Sequence, residues 1–221
     1  MLTCAAVFLL LTAPLPALRP SAAARAPAQA RRRAQQRAPR AVGWDAVPAI
    51  LARIRPPKFP ARDFPVTSYG ARAGGDFDNT GAIRRAIDAC SKAGGGRVVV
   101  PAGVFLTGAI HLKSNVNLHV SEGATLKFST DPSKYLPAVY TRWEGTELMN
   151  YSPFIYAFEQ QNIAVTGKGT LDGSASDDNW WAWARRRGSS PAPAAPDIKR
   201  LREMGNSGVP VSERVFGAGH Y

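Results

Sequence analysis

From residue 97 onward the chain is written in short apolar runs broken by Gly, Pro, Asn and Ser: "RVVVPAG" (97–103), "VFLTGAIHL" (104–112), "NVNLHV" (115–120) and "ATLKFST" (124–130). In "NVNLHV" the apolar Val116, Leu118 and Val120 alternate with polar residues, the period of a strand with one face buried. "FIYAFEQQNIAVTGKGTLDG" (154–173) repeats the style. No helix long enough for a βαβ crossover separates these strands, which argues against a doubly wound sheet. Sandwich, barrel and parallel β-helix remain. "GAIHLKSNVNLHVSEGATLKF" (108–128) favours the β-helix, because strands recur every seven or eight residues with Gly or Asn at the bends, as when a coil turns three corners before stacking on itself.

Ahead of the strands the period changes. Ile83, Ala86, Ile87 and Cys90 follow the i, i+3, i+4, i+7 rule of an amphipathic helix over 79–93. Asp78 or Asn79 is placed to cap it, and Gly94–Gly96 close it. A solenoid buries its core only by stacking and needs capped ends, and this helix suits the N-terminal end. Trp44, Val47, Leu51 and Ile54 predict a shorter helix, with Asp45 as N-cap and Pro48 in its first turn. A charged helical stretch, "DIKRLREMG" (197–205), lies near the other end.

Charge changes the picture through its position. The 221 residues carry a net charge of +12. Residues 1–60 hold ten Lys and Arg against one acid, whereas residues 61–221 hold eighteen against fifteen. The body is therefore near neutral, which argues against a nucleic-acid partner. Residues 1–26 contain an apolar run from Ala5 to Leu11 followed by small residues, the form of a signal peptide, and residues 27–42 read as a disordered Ala/Arg/Pro-rich linker. Residues 43–221 are assigned to the N-terminal portion of a β-helix domain. No stretch is long enough to span a bilayer as a helix. Of the two cysteines, Cys4 would leave with the signal and Cys90 is a small core residue. No Cys/His cluster points to a metal, and no cofactor is implied.

The blocks Tyr69-Gly70-Ala71 with Asp78-Asn79-Thr80, "GGGRVVVPAG", "HLKSNVNLHVSEGATL" and "VTGKGTLDG" occur in an order that resembles the opening of the polygalacturonases, glycoside hydrolase family 28. "TRWEG" (141–145) and "VPVSERVFGAGHY" (209–221) resemble its bacterial branch, and the likeness spans about residues 44–221. The resemblance implies an all-β, right-handed parallel β-helix of the pectin-lyase type, with an N-terminal capping helix, incomplete at its C-terminus. It further implies a secreted monomer that hydrolyses α-1,4 links between galacturonic acids in pectin with inversion. In inverting enzymes the acid and base carboxyls stand about 6.5–9.5 Å apart to admit a water. The family draws its functional residues from an Asn-x-Asp, an Asp-Asp, a Gly-His-Gly and an Arg-x-Lys, in that order. Neither Asn-x-Asp nor Arg-x-Lys occurs here, and Gly219-His220 is followed by Tyr221. No catalytic residue is therefore assigned, and the chain is expected to be an N-terminal part, inactive alone. A pectate-lyase-like enzyme and a non-catalytic polysaccharide-binding solenoid remain as alternatives.

Asp177-Asp178, the one Asp-Asp, imitates a catalytic pair beside Trp180, Trp181 and Trp183. Adjacent residues at a helix start diverge, so the pair reads as a helix cap, with Arg185–Arg187 at the opposite end of that helix. The candidate substrate-binding residues are Arg142, Trp143, Glu144 and His220. "TRWEG" lies in a non-repetitive stretch, 131–153, where a loop on a rigid scaffold carries binding groups. Arg suits bidentate contact with a galacturonate carboxylate and Trp stacks on a sugar ring. The plainer reading is a surface ion pair plus a packed indole, and an inert terminal histidine. His111 and His119 fall at solvent-facing strand positions.

Overall fold

The structure is a computed structural model that describes residues 42–179 and 195–217. They fall into two units that divide between Arg55 and Pro56. In the first, a 3₁₀ turn (Gly43–Ala46) runs into α1 (Val47–Leu51), with Pro48 in the opening turn where its missing N–H costs nothing. Asp45 caps neither element, and no residue of either is buried.

In the second unit, strands β1 (Asp63–Pro65), β2 (Gly96–Val100), β3 (Gly103–Thr107), β4 (Ile110–His111), β5 (Val116–Val120) and β6 (Ala124–Phe128) precede a hairpin of β7 (Val139–Trp143) and β8 (Thr146–Asn150). After it come β9 (Ile155–Tyr156), β10 (Ala164–Gly167) and β11 (Thr170–Asp172). Three parallel sheets result, ordered β1-β2-β5-β10, β11-β6-β3 and β4-β9. From β2 onward, the hairpin apart, successive strands thus go to different sheets and each third one returns beside its predecessor, which is a β-helix-like coil. Gly96 lies beside Val116 and Gly103 beside Ala124, a first coil of 20–21 residues. Asn117 lies beside Ala164 and Thr125 beside Thr170, so the next takes 45–47. The difference is the hairpin and its flanks, inserted between β6 and β9.

The strand alternation builds the core. Val98 stacks on Leu118, Val100 on Val120, Phe105 on Leu126 and Ile110 on Ile155. All but the last of these are buried. At about 25 cal/mol per Å², each such buried side chain contributes roughly 1.5–3 kcal/mol before entropy is counted. One corner is set by left-handed residues in register: Gly95 (φ 105), Asn115 (φ 65) and Asn162 (φ 53). A Cβ on Gly95 would stand 2.5 Å from the Asn115 carbonyl oxygen, so only glycine fits there. Asn162 Nδ2 donates to Asn115 Oδ1 (3.0 Å) and to the Lys58 carbonyl (2.8 Å), and its Oδ1 accepts the Lys58 N–H (3.1 Å). Residues 58–62 are thereby stitched down this corner, since the Arg62 carbonyl accepts the Arg97 N–H.

Helix α2 (Thr80–Lys92) packs Ala82, Ile83, Ala86, Ile87 and Cys90 into the same core. It ends in a Schellman motif: Gly95 N–H reaches the Cys90 carbonyl and Gly94 N–H the Ser91 carbonyl. At its start the two candidate caps divide the labour. Asp78 Oδ1 accepts the Thr80 N–H (2.9 Å), while Asn79 turns its amide away from the helix. Fully buried, Asn79 accepts the Arg72 N–H and donates to the carbonyls of Arg72, Phe77 and Leu106, tying the 72–77 loop to β3. Helix α3 (Ala195–Asn206) buries Leu201 against Leu148 of β8 and Phe216, a second small core. The all-β expectation is corrected here, because α2 and α3 hold 13 and 12 residues and each closes a core. Among the described residues no helix is long and apolar enough to cross a membrane.

Candidate functional site

The stretch expected to be a non-repetitive loop is instead mostly an antiparallel hairpin in which Arg142 faces Glu147 and Trp143 faces Thr146. Glu144 (φ 44) and Gly145 (φ 89) form its two-residue turn, both with positive φ as the twist of a tight hairpin requires. The hairpin is fixed at its base. Tyr156 of β9 donates its hydroxyl to the Tyr140 carbonyl (2.9 Å), and Ser152 N–H donates to the Tyr135 carbonyl (2.9 Å). Residues 214–216 add a further edge: Met149 N–H donates to the Arg214 carbonyl and Phe216 N–H to the Met149 carbonyl.

Two cavities flank this hairpin. One, of about 530 Å³, is walled by Tyr135, Trp143, Tyr151 and Phe154, with Arg142 and Asn150 on its rim. Phe154 stacks on Phe128 at 4.5 Å, so an aromatic floor is anchored to the second sheet. Trp143 is 45% exposed, which leaves indole surface available to a sugar ring. The Tyr135 hydroxyl donates to the Ser129 carbonyl (2.5 Å), and burial pushes its pKa up to about 12, so it stays a neutral donor. The other cavity, of about 560 Å³, lies at the hairpin turn and α3, and Arg142, Arg202, Arg214 and Glu147 line it. Arg142 borders both.

The charges at the turn are interlocked. Arg142 donates to Glu147 (2.8 Å), which also accepts the Tyr140 hydroxyl (2.5 Å). The Tyr140 hydrogen bond, and after it the one from Arg142, lowers the Glu147 pKa. The Glu147 hydrogen bond in turn raises that of Arg142. Glu144 pairs with Arg202 of α3 (2.6 Å) and lines neither cavity. The structure therefore brings Arg142 and Trp143 to one cavity and gives Glu144 to an ion pair 58 residues away in sequence. His220 lies outside the described residues.

Asp177 and Asp178 occupy a turn and line neither flanking cavity. Asn179 organises that turn, accepting the Ser176 N–H and donating to the Ser174 carbonyl. The expected helix with Trp180, Trp183 and the arginines falls outside the described residues, as do the expected signal peptide and nearly all of the linker. His111 Nε2 meets Ser152 Oγ (3.0 Å) and its ring lies 5.2 Å from that of Tyr156; burial lowers its pKa. His119 Nδ1 meets Thr166 Oγ1 (3.0 Å). His119 thus bonds its cross-strand neighbour on β10 and His111 bonds Ser152 after the hairpin, and neither histidine lines either cavity. Among the described residues no group of three His, Cys, Asp or Glu could hold a metal ion.

Sequence reasoning missed Glu147, Arg202, Arg214 and the aromatic floor. The Glu-Gly pair between "VYTRW" and "TELMN" was the available hairpin signal, and it would have set Glu147 opposite Arg142. Nothing in the order of residues predicts the approach of α3.

The fold superposes with a TM-score of 0.73 on the exopolygalacturonase of Thermotoga maritima, 49% identical, over 79% of this chain and 40% of that one. The chain is homologous to the family 28 polygalacturonases. An exo-poly-alpha-D-galacturonosidase of Dickeya chrysanthemi is 38% identical to this polygalacturonase homologue over 117 residues, 49% of the chain and 19% of that protein. A probable polygalacturonase of Vitis vinifera is 31% identical over 52% of the chain and 25% of its own length. The homologue thus spans a fifth to a quarter of these curated relatives. No family model matches it.

Proposed function

We propose that this chain forms the N-terminal coils and one wall of the substrate groove of an exported polygalacturonase-type glycoside hydrolase. The observation that carries this reading is the 49% identity to the Thermotoga maritima exopolygalacturonase over 79% of this chain, at a TM-score of 0.73. The groove wall is the 530 Å³ cavity, where Arg142 binds a galacturonate carboxylate and Trp143 stacks on its ring. The substrate is pectic polygalacturonate, and the α-1,4 link is hydrolysed with inversion by carboxyls carried on later turns of the same right-handed coil. One carboxylic acid protonates the leaving oxygen and a carboxylate on the far side of the ring deprotonates the attacking water. The family's Asn-x-Asp does not occur in this sequence, which spans 40% of the Thermotoga chain, and both facts support placing those groups outside the coils described here. The whole enzyme works as a secreted monomer.

The test measures reducing ends released from polygalacturonate by the 221-residue chain and by a form carrying the downstream coils. The longer form is expected to release galacturonate with inverted anomeric configuration by proton NMR, and the shorter none. Full activity in the 221-residue chain, or unsaturated products from the longer one, would refute the reading.

A further inference from the structure

Three guanidinium groups converge on the cavity between the hairpin turn and α3, and each is held from one side. Arg214 Nε donates to the Val209 carbonyl (2.8 Å) and its Nη1 to the Glu147 carbonyl (3.1 Å). Arg142 is held by the Glu147 carboxylate, and Arg202 by Glu144. A guanidinium carries five N–H bonds in a fixed fork, so these contacts use at most two of them per residue. Among the lining groups, three positive charges face the single carboxylate of Glu147. Thr146 and Asn206 add a hydroxyl and an amide to the same wall. Space is kept at Gly205, where a Cβ would stand 3.1 Å from Thr146 Cγ2 and 4.0 Å from Arg214 Nη1.

We propose that this 560 Å³ cavity is a second, non-catalytic site that binds the carboxylate of an acidic sugar. Arginine forks match a planar carboxylate bidentately, and their anchoring removes much of the ordering cost of binding. The neutral Thr146 and Asn206 groups suit sugar hydroxyls, which inorganic phosphate lacks. The assignment of a uronate rests on the polygalacturonase reading; the anion-binding property does not. Arg142 borders both cavities, so an acidic sugar on the turn side competes with Glu147 for the same guanidinium that the groove uses.

The experiment titrates the 221-residue chain with α-1,4-linked digalacturonate, its dimethyl ester and inorganic phosphate, by calorimetry and by amide NMR. Digalacturonate is expected to perturb the amides of Gly145, Thr146, Gly205 and Asn206. Its ester should bind about tenfold more weakly, the loss expected when a charge-assisted hydrogen bond is removed. Arg202→Gln should weaken binding by about the same factor, while Arg84→Gln, an equal charge change on α2, leaves it unchanged. Equal affinity for acid and ester, equal losses in both arginine variants, or no perturbation of these four amides overturns the proposal. Phosphate binding as tightly as digalacturonate overturns the acidic-sugar assignment, and binding lost in Trp143→Ala but kept in Arg202→Gln overturns the second site. Because no turnover is read, hydrolysis by a longer form can fail while this site stands, and the reverse.

Discussion

Replacing Asn79 with Ala removes the one side chain that joins the 72–77 loop, the start of α2 and β3. Its amide takes part in four hydrogen bonds of 2.7–3.2 Å and is fully buried. The carbonyl partners retain other routes to satisfaction, since the loop is exposed to water at Arg72 and Phe77 and Leu106 O still accepts the residue 79 N–H. The Arg72 N–H loses its acceptor. A buried donor left unmatched costs about 1–3 kcal/mol and an ordinary hydrogen bond about 0.5–1.5, so the partial case here comes to about 2–3 kcal/mol. For a chain of this length each kcal/mol lowers Tm by about 2–4 °C, giving a drop of about 4–12 °C. Urea melts followed by circular dichroism should show the midpoint falling at unchanged slope. Asn79→Asp keeps the acceptor for Arg72 but turns a carboxylate oxygen toward three carbonyls, so at pH 7 it should be no more stable than Asn79→Ala. A loss below 1 kcal/mol for Asn79→Ala, or an Asp variant as stable as the parent, refutes the reasoning.

Gly169→Ala places a Cβ 2.6 Å from the Ser121 carbonyl and 2.7 Å from that of Ala124, with no positive φ to add strain. The overpacking should cost about 1–3 kcal/mol in a thermal melt, while Gly123→Ala, whose Cβ meets only Ala102 Cβ at 3.4 Å, loses stability through its positive φ instead. Burial alone would raise the pKa of Asp78, but the hydrogen bonds from Lys134 and Thr80 and the Lys134 charge together outweigh it and lower the value to about 2. Its folded value lies below the unfolded 3.8, so its contribution is complete above about pH 3.8 and is lost as pH falls toward 2. Solvent screens it, since the side chain is 41% exposed; Asp78→Asn should flatten this acid limb in pH-dependent melts. His111, lowered by burial, acts in the window just below its ordinary 6.5: the unfolded chain takes up the proton first, so stability declines there, and His111→Gln should remove that component.

The coil was legible because its physics is local. Period-2 alternation marks the strands, and the i, i+3, i+4, i+7 spacing of Ile83 to Cys90 marks the capping helix within one residue of its bounds. Labelling the fold all-β underweighted that helix and "DIKRLREMG", both of which are present. The site was less legible, because its geometry is long-range. Arg142 and Trp143 can be picked out in the sequence as candidates, but the partner of Glu144 stands on α3, and the aromatic floor comes from Tyr135 and Phe154 on either side of the hairpin. Trp44, Leu51 and Ile54 have helical spacing yet are exposed, and α1 covers only Val47–Leu51 of that stretch. Amphipathic spacing records which residues share a face; it does not record what that face meets.

The corners of the coil differ in how much chain they admit. At one, Gly95, Asn115 and Asn162 repeat the same left-handed turn, and at another Gly169 passes bare beneath the carbonyls of Ser121 and Ala124. Neither leaves room for an inserted residue. The corner between β6 and β9 absorbed the whole hairpin while β5 and β10, and β6 and β11, kept their register. Length can therefore be exchanged at that corner as a cassette: a hairpin of different span and side chains, joined at Ser129 and Phe154, would be carried by the same stack. Variation of the inserted hairpin and preservation of the scaffold that carries it fall on separate stretches of the chain.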